Sequence, residues 1–329
     1  MVQYTEKSGH HVYNSPRIPY KKAKGFALFC GKLVRDLPLI FMALPGTIIV
    51  FIFAYLPMPG LVIAFQNFKA RRGLFGSPWV GFENFKFLFG TDVAFRITRN
   101  TVLLNLLFIV TGLIAAVTIA ILLNEVRNGM LLRFYQSSLF FPTFVSWVIV
   151  SYFVFALLSH EHGLINAWLE QADRSTIRWY QEPSYWPMIL TSANIWKGVG
   201  YASLIYLAAI VAIQPELYEA ARIDGANKLQ EIVHITLPHL VSIVVLLTLL
   251  SLGNIFRSDF GLFYFVPRDN GSLYPTTDVI DTFVYRALKQ VGGFGMAAAA
   301  GVYQSVVGFI MLITANWIVR RIDPQKSIF

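Results

Sequence analysis

The side chains able to do chemistry in this sequence are few and lie far apart. His160 and His162 flank Glu161, offering two imidazoles and a carboxylate to a divalent metal, yet no further cluster at ligand spacing follows. Glu170, Asp173 and Glu182 stand singly in polar stretches where solvation is the default. A glycosidase-type carboxylate pair needs a set separation that sequence spacing does not supply. The glycine-rich phosphate loop ending in Gly-Lys-Ser/Thr, the His-Glu-x-x-His zinc motif and the Gly-x-Ser-x-Gly nucleophile elbow are all absent. Uphill movement of a solute by this chain would therefore draw on a gradient or on another subunit.

The remaining polar candidates sit inside apolar runs. Lys197 stands near the middle of the stretch from Tyr185 to Val211, where a charge costs about 2.5–3.5 kcal/mol on insertion scales. It must face protein or water. Asn194, Lys197 and Tyr201 share one helical face and could line a cavity that binds hydroxyls or a carboxylate. Alternatively Lys197 pairs with a structural carbonyl or snorkels to the interface. Lys197 is compatible with an acidic saccharide and does not establish one. Asn254, Tyr303 and Gln304 are further candidates for the same path, with helix-to-helix hydrogen bonding as the other reading. Trp147 and Trp196 could stack on sugar faces or pack in the membrane; among 28 Phe, an aromatic side chain alone does not identify a sugar.

The elements that must position these residues are membrane helices. Of 329 residues, 56% are hydrophobic and only 14% charged, with a mean hydropathy of +0.56, far from soluble-domain norms. Apolar runs at 37–65, 100–124, 136–159, 185–211, 235–256 and 291–319 can each cross roughly 30 Å of hydrocarbon as a helix. Their length excludes the short alternating strands of a barrel. The expectation is an all-α polytopic membrane protein with six transmembrane helices, one domain over 37–329, behind a basic extension over 1–36. An even number of spans puts both termini on one side. The extension (Lys7, Arg17, Lys21, Lys22, Lys24, Lys32, Arg35) together with Arg320, Arg321 and Lys326 places that side in the cytoplasm, although Lys and Arg are nearly even over all loops. The first apolar run is too long for a signal-peptide core and lacks a cleavage site, so it is retained as a span. The basic residues are spread over membrane-flanking segments, which points to anionic lipid headgroups and away from nucleic acid. The single Cys30 excludes an intramolecular disulfide.

Two segments on the opposite side stand out. "GSPWVGFENFKFLFG", residues 76–90, reads as an aromatic anchor at the interface. The stretch 257–290 carries a turn signal at Asp269, Asn270 and Gly271, then a helix beginning near Thr277 or Asp278. It either dips into the bilayer or rests against an external partner.

The most informative stretch is polar: "YEAARIDGANKLQEIVHITLP", residues 218–238, between two apolar runs. Over 214–238 the pattern gives two short helical pieces. Pro215 suits a first turn, Glu216 and Glu219 favour the positive end of the helix dipole, and Gly225 can end the piece. A second piece runs from about Asn227 to Ile235, and Pro238 marks the next span. Leu217, Ala220, Ala221 and Asp224 fall near one face, so small side chains flanked by acids allow close docking in a partner's cleft. The alternative is an interfacial helix on headgroups, which would normally carry more Lys and Arg and larger apolar residues.

This stretch resembles the EAA signature of bacterial ABC-importer permeases. Glu219, Ala220 and Ala221 match its first part, Asp224, Gly225 and Ala226 its carbohydrate-branch D-G-A form, and Ile235, Leu237 and Pro238 its close. "WVGFENFKFLF", "IWKGVGYASLIYLAAI" and "GMAAAAGVYQSVVGFI" are also similar to segments of sugar permeases, in particular the oligosaccharide, aldouronate or alginate branch, so the resemblance covers about 37–321. It implies the type I importer fold in the bacterial cytoplasmic membrane and a non-catalytic chain without cofactor. It further implies a second, homologous but different permease, two ATPase subunits that hold ATP and Mg, an extracytoplasmic solute-binding protein and a saccharide substrate. By the same resemblance the 214–238 loop is the coupling helix that docks on an ATPase, with Glu219 at the contact and Gly225 at the turn. Two other classes are weighed against this one. A polytopic membrane enzyme such as a glycosyltransferase would need clustered acids or a metal site, and a self-contained carrier would leave the loop unexplained.

Overall fold

Apolar runs of bilayer length become helices because only a helix satisfies its backbone within one segment. The computed structural model describes residues 36–86 and 90–322, without the side chains of Gln290, Val291 and Ile322. The basic segment from Lys7 to Arg35, with Cys30, the residues Phe87 to Phe89 of the aromatic loop, and Lys326 lie outside the described residues.

The chain divides into a unit ending at Pro59 and a larger one from Gly60 onward. In the first, α1 (Leu37–Val50) has a proline in its first turn and Pro45 inside, and continues into a π-turn at Phe51–Tyr55. The second begins its long helices with α2 (Asp92–Asn124), capped by the Thr91 hydroxyl, which accepts from Ala94 N–H. Then come α3 (Gly129–Phe140), α4 (Trp147–Leu158), α5 (Leu164–Gln171), α6 (Trp186–Val211), α7 (Pro215–Ile223), α8 (Leu237–Gly253), α9 (Phe260–Phe265), α10 (Ile280–Arg286) and α11 (Phe294–Ile322). Among the described residues there is no strand, only an isolated antiparallel bridge between Gln66 and Trp79.

Leu37–Phe65, Asp92–Asn124, Pro183–Val211, Lys228–Gly253 and Phe294–Arg321 are long and apolar enough to cross a membrane. The run at 136–159, expected as an uninterrupted span, is instead two helices bent by 98°. Pro142 has no N–H to continue a helix, a 3-10 turn fills Phe141–Phe144, and the Ser146 hydroxyl restarts the chain by capping Ile149 N–H. The break strands carbonyls, and the Lys197 ammonium on α6 takes them: it donates to Thr143 O at 3.0 Å and to Val145 O, and lies 3.5 Å from Pro142 O, which already accepts Val145 N–H at 3.1 Å. Thr143 Oγ1 returns a bond to Lys197 O at 3.0 Å.

Packing follows from small residues on facing helices. Ala116, Ala120 and Leu123 of α2 bury against Val199, Tyr206, Leu207 and Ile210 of α6, joined by Leu240 of α8. Gly200 lets α6 touch α3, since a Cβ there would lie 1.9 Å from Leu139 O. A second core joins Trp186 and Leu190 to Leu262, Val266, Leu273 and Val279, all fully buried. The 257–290 stretch thus packs into its own bundle. Its helix α10 starts at Ile280 with Val279 at the cap, one residue beyond Asp278 and two beyond Thr277, because Thr282 Oγ1 accepts Val279 N–H at 3.1 Å while donating to Asp278 Oδ1 at 3.0 Å.

Replacing Lys197 by Met should leave carbonyls without a donor, at about 1–3 kcal/mol for each that water does not reach. The expected result is a lower thermal unfolding midpoint of the detergent-purified protein. An unchanged midpoint would mean that the carbonyls find other partners.

Candidate functional site

Two places gather the polar residues singled out in the sequence: an elbow after α6 and a cavity between α2, α6 and α8. In the elbow, α7 opens with Pro215 at its first position and Glu216 in its first turn. It closes with paired reverse bonds, Gly225 N–H to Arg222 O at 3.1 Å and Ala226 N–H to Ala221 O at 2.9 Å, around Gly225 at φ +83°. That left-handed conformation suits glycine, as the helix-ending motif requires. Asn227 and Gln230 then exchange side-chain and backbone bonds at 3.0 and 2.8 Å, starting a new helix at Lys228. The second piece does not stop before the next span. A π-turn at Ile232–Thr236, closed by Leu237 N–H on Ile232 O, carries it into α8, and Pro238 stands directly after that π-turn, inside one continuous helix from Lys228 to Gly253.

A buried acid locks the elbow. Glu231, 3% exposed, receives Arg222 Nε at 2.7 Å and Lys228 Nζ at 3.1 Å. Lys228 also reaches Glu125, the residue that ends α2, at 3.2 Å, and Tyr218 Oη meets Thr236 Oγ1 at 3.0 Å. The hydrogen bond and charge of Glu231 hold the Arg222 guanidinium above its ordinary range. Around this lock, Glu219, Ala220 and Asp224 are exposed, and neither acid forms an ion pair among the described residues. A hollow of about 310 Å³ inside the elbow is lined by Ala221, Asp224, Gly225, Ala226 and Ile235, while Leu237 and Pro238 are exposed beyond it. Ile223 and Leu229, at 87% and 69% exposure, project as the most exposed apolar groups of the loop. Neither falls on a matched position of the motif in the sequence, although bulky apolar residues on either side of a Gly turn in a polar loop are a usable signal.

The cavity has a volume of about 540 Å³. Asn194 and Tyr201 of α6 line it, as does Asn254 just past α8, with Asn105, Thr248 and Ser251 adding polar groups. Lys197 is not among its lining residues; its ammonium is spent on the broken span and lies 5.2 Å from the Trp147 ring centre. Trp147 Nε1 in turn donates to Asp259 Oδ2 at 2.7 Å, and Asp259 Oδ1 caps α9 through Gly261 and Leu262 N–H. Gln304 and Tyr303 lie elsewhere. Gln304 Nε2 donates to Phe256 O at 2.8 Å and to Asp281 Oδ2 at 3.3 Å, and Tyr303 packs edge-on against Phe256. Arg257 and Asp259, which the sequence reading did not select, bring charge to the cavity wall. Among the described residues no group of three or more His, Cys, Asp or Glu is placed to hold a metal, so His160, Glu161 and His162 do not form such a group.

Residues 108–324 match the family model for the inner membrane component of binding-protein-dependent transport systems. The chain belongs to that family. It is 36% identical to the polygalacturonan/rhamnogalacturonan transport system permease protein YteP of Bacillus subtilis over 93% of this chain and 94% of that protein. It is 34% identical to protein LplB of the same organism, covering 90% and 92%. Its fold matches a chain in the crystal structure of a bacterial ABC transporter involved in the import of the acidic polysaccharide alginate, with a TM-score of 0.81 and 34% identity over 90% of this chain and 99% of that one. A second alginate transporter structure, in complex with an alginate pentasaccharide-bound periplasmic protein, matches at a TM-score of 0.80, over 89% and 97%. The chain is thus an all-α, multi-pass membrane permease with the fold of an ABC importer.

Replacing Glu231 by Gln should loosen the elbow without unfolding the bundle, because both cationic partners stay half exposed to water. The expected readout is faster amide hydrogen exchange in α7 and at Lys228–Glu231 with unchanged protection in α2. Unchanged exchange in α7 would remove Glu231 as the lock.

Proposed function

We propose that this chain is the permease subunit that passes an oligosaccharide inward across the bacterial cytoplasmic membrane, driven by ATP hydrolysed with Mg in two separate ATPase subunits. The observation that carries the reading is the elbow: an acid-rich, apolar-tipped helix held by ion pairs to the end of α2. Such a part is suited to receive force from a partner and pass it to spanning helices. The likeness to polysaccharide permeases supports the saccharide.

In this reading both termini and the elbow face the cytoplasm. Glu219 and Asp224 meet basic groups of an ATPase cleft, Ile223 and Leu229 seat in its apolar floor, and Ala220, Ala221 and Ala226 allow close approach. Gly225 sets the bend, and Ile235, Leu237 and Pro238 join it to the span. Asn194, Tyr201 and Asn254 offer hydrogen bonds to sugar hydroxyls in the cavity, Lys197 holds the wall behind them, and Tyr303 and Gln304 support the path from α11. A second, homologous but different permease closes the cavity from the other side, and an extracytoplasmic binding protein delivers the saccharide. The chain itself carries out no covalent chemistry, needs no cofactor and touches lipid but no nucleic acid.

The test is ATPase activity of the assembled complex in lipid, with and without saccharide-loaded binding protein. Glu219→Ala should abolish the stimulation. Gly225→Val should do the same, since a branched residue at positive φ costs about 1–2 kcal/mol, whereas Gly225→Asn should retain it. Full stimulation in Glu219→Ala would refute the coupling role, and gradient-driven flux by this chain alone would favour a self-contained carrier.

A further inference from the structure

Among the described residues, Arg257 is the one lining residue of the cavity that brings it a cationic group. Its backbone is fixed from several sides. Asn105 Nδ2 donates to Ile255 O at 2.8 Å and to Arg257 O at 3.2 Å, Arg257 N–H donates to Asn254 O at 2.8 Å, and Ser258 N–H donates to Asp281 Oδ2 at 2.8 Å. Gln304 Nε2 holds the preceding carbonyl of Phe256 at 2.8 Å. The side chain, in contrast, is exposed and makes no hydrogen bond or ion pair among the described residues. Nearby acids do not satisfy it. Asp259 spends Oδ2 on Trp147 and Oδ1 on the start of α9. Asp281 interacts with Arg257 only through space, its Oδ2 being taken by Ser258 and Gln304.

An arginine held by a rigid backbone, with its guanidinium free at the wall of a largely apolar cavity, is prepared for a planar anion. We propose that Arg257 reads a carboxylate on the translocated saccharide, so that the cavity selects acidic, uronate-type oligosaccharides over neutral ones. This assignment rests on the permease reading above. The guanidinium fork matches a carboxylate with two parallel N–H bonds, which a hydroxyl cannot return. Asn194 and Tyr201 on α6 then serve the neighbouring hydroxyls. Lys197, the cation that the sequence puts forward for this task, is occupied by the carbonyls of the broken span.

The experiment uses the complete transporter, with both permeases, ATPases and binding protein, in proteoliposomes. Uptake of a galacturonate oligosaccharide is compared with uptake of its methyl ester, which keeps the shape and removes the charge, for the wild type, Arg257→Gln and Arg257→Lys. Because each ratio of variant to wild type is taken for one saccharide, the preference of the binding protein divides out. In Arg257→Gln, uptake of the acid should fall about ten- to a hundredfold further than uptake of the ester, the range of a hydrogen bond to a charged group. Arg257→Lys should lie between Gln and the wild type. Equal losses for acid and ester, or no loss in either, overturn the assignment to Arg257 while leaving the permease reading in place. Failure of the second permease to co-purify with Arg257→Gln overturns it in favour of a contact between subunits. Uptake of neither saccharide by the wild-type complex overturns the saccharide reading and this assignment with it.

Discussion

The ammonium of Lys197 on the carbonyls around Pro142 is the contact on which the arrangement of this bundle turns. A break in a membrane helix frees backbone acceptors where no water is at hand, and such groups are tolerated only when protein takes them up. One lysine does so here for Thr143 O and Val145 O, adds a second donor to Pro142 O, and thereby joins the end of α3 and the start of α4 to α6. The same break delivers Trp147 to Asp259, and Asp259 starts α9. Gly261 accepts the indole because a Cβ there would lie 2.2 Å from Trp147 Cδ1. A polar thread therefore runs from the middle of α6 to the segment beyond α8, along the wall that also carries Arg257.

At the other polar site the organising group is again a single charge with several partners, but of opposite sign. Glu231 gathers Arg222 and Lys228, and Lys228 shares itself with Glu125. The elbow is thereby attached to α2 as well as to α8, so a push on α7 has two routes into the bundle. The exposed members of the motif, Glu219 and Asp224, form no ion pair within this internal lock among the described residues, which leaves them available to a partner.

Much of this was legible in the sequence where local chemistry decides the outcome. Pro215, Gly225 and Asn227 each define a backbone conformation almost alone, and the elbow follows them closely. Apolar runs of bilayer length gave the spans for the same reason. What could not be read depends on partners distant in the chain. The run at 136–159 is uniformly apolar, and its break becomes stable only through a lysine more than fifty residues later. Pro238 looks like a boundary, but a π-turn absorbs it within one helix. Gln304 and Asn254 look alike as isolated polar residues in apolar runs; Gln304 is turned inward on Phe256 O, while Asn254 lines the cavity. Arg257 does not stand out in the sequence because an arginine at the end of a span is the ordinary pattern; its place on the cavity wall and the bonds of Asn105 to the backbone around it make it distinctive.

The pairing of Lys197 with the broken span also bears on how the protein is made. The Pro183–Val211 stretch that holds the lysine is the least apolar of the candidate spans, and a charge near its middle opposes entry into lipid by about 2.5–3.5 kcal/mol. Its acceptors lie earlier in the chain, so they leave the ribosome first. The carbonyls of Pro142, Thr143 and Val145 can be waiting at the insertion site when the lysine arrives, and each segment covers a polar defect in the other. Neither is well suited to stay in the bilayer alone; the two are best understood as a single unit of insertion, with the N-terminal member acting as receptor for the one that follows.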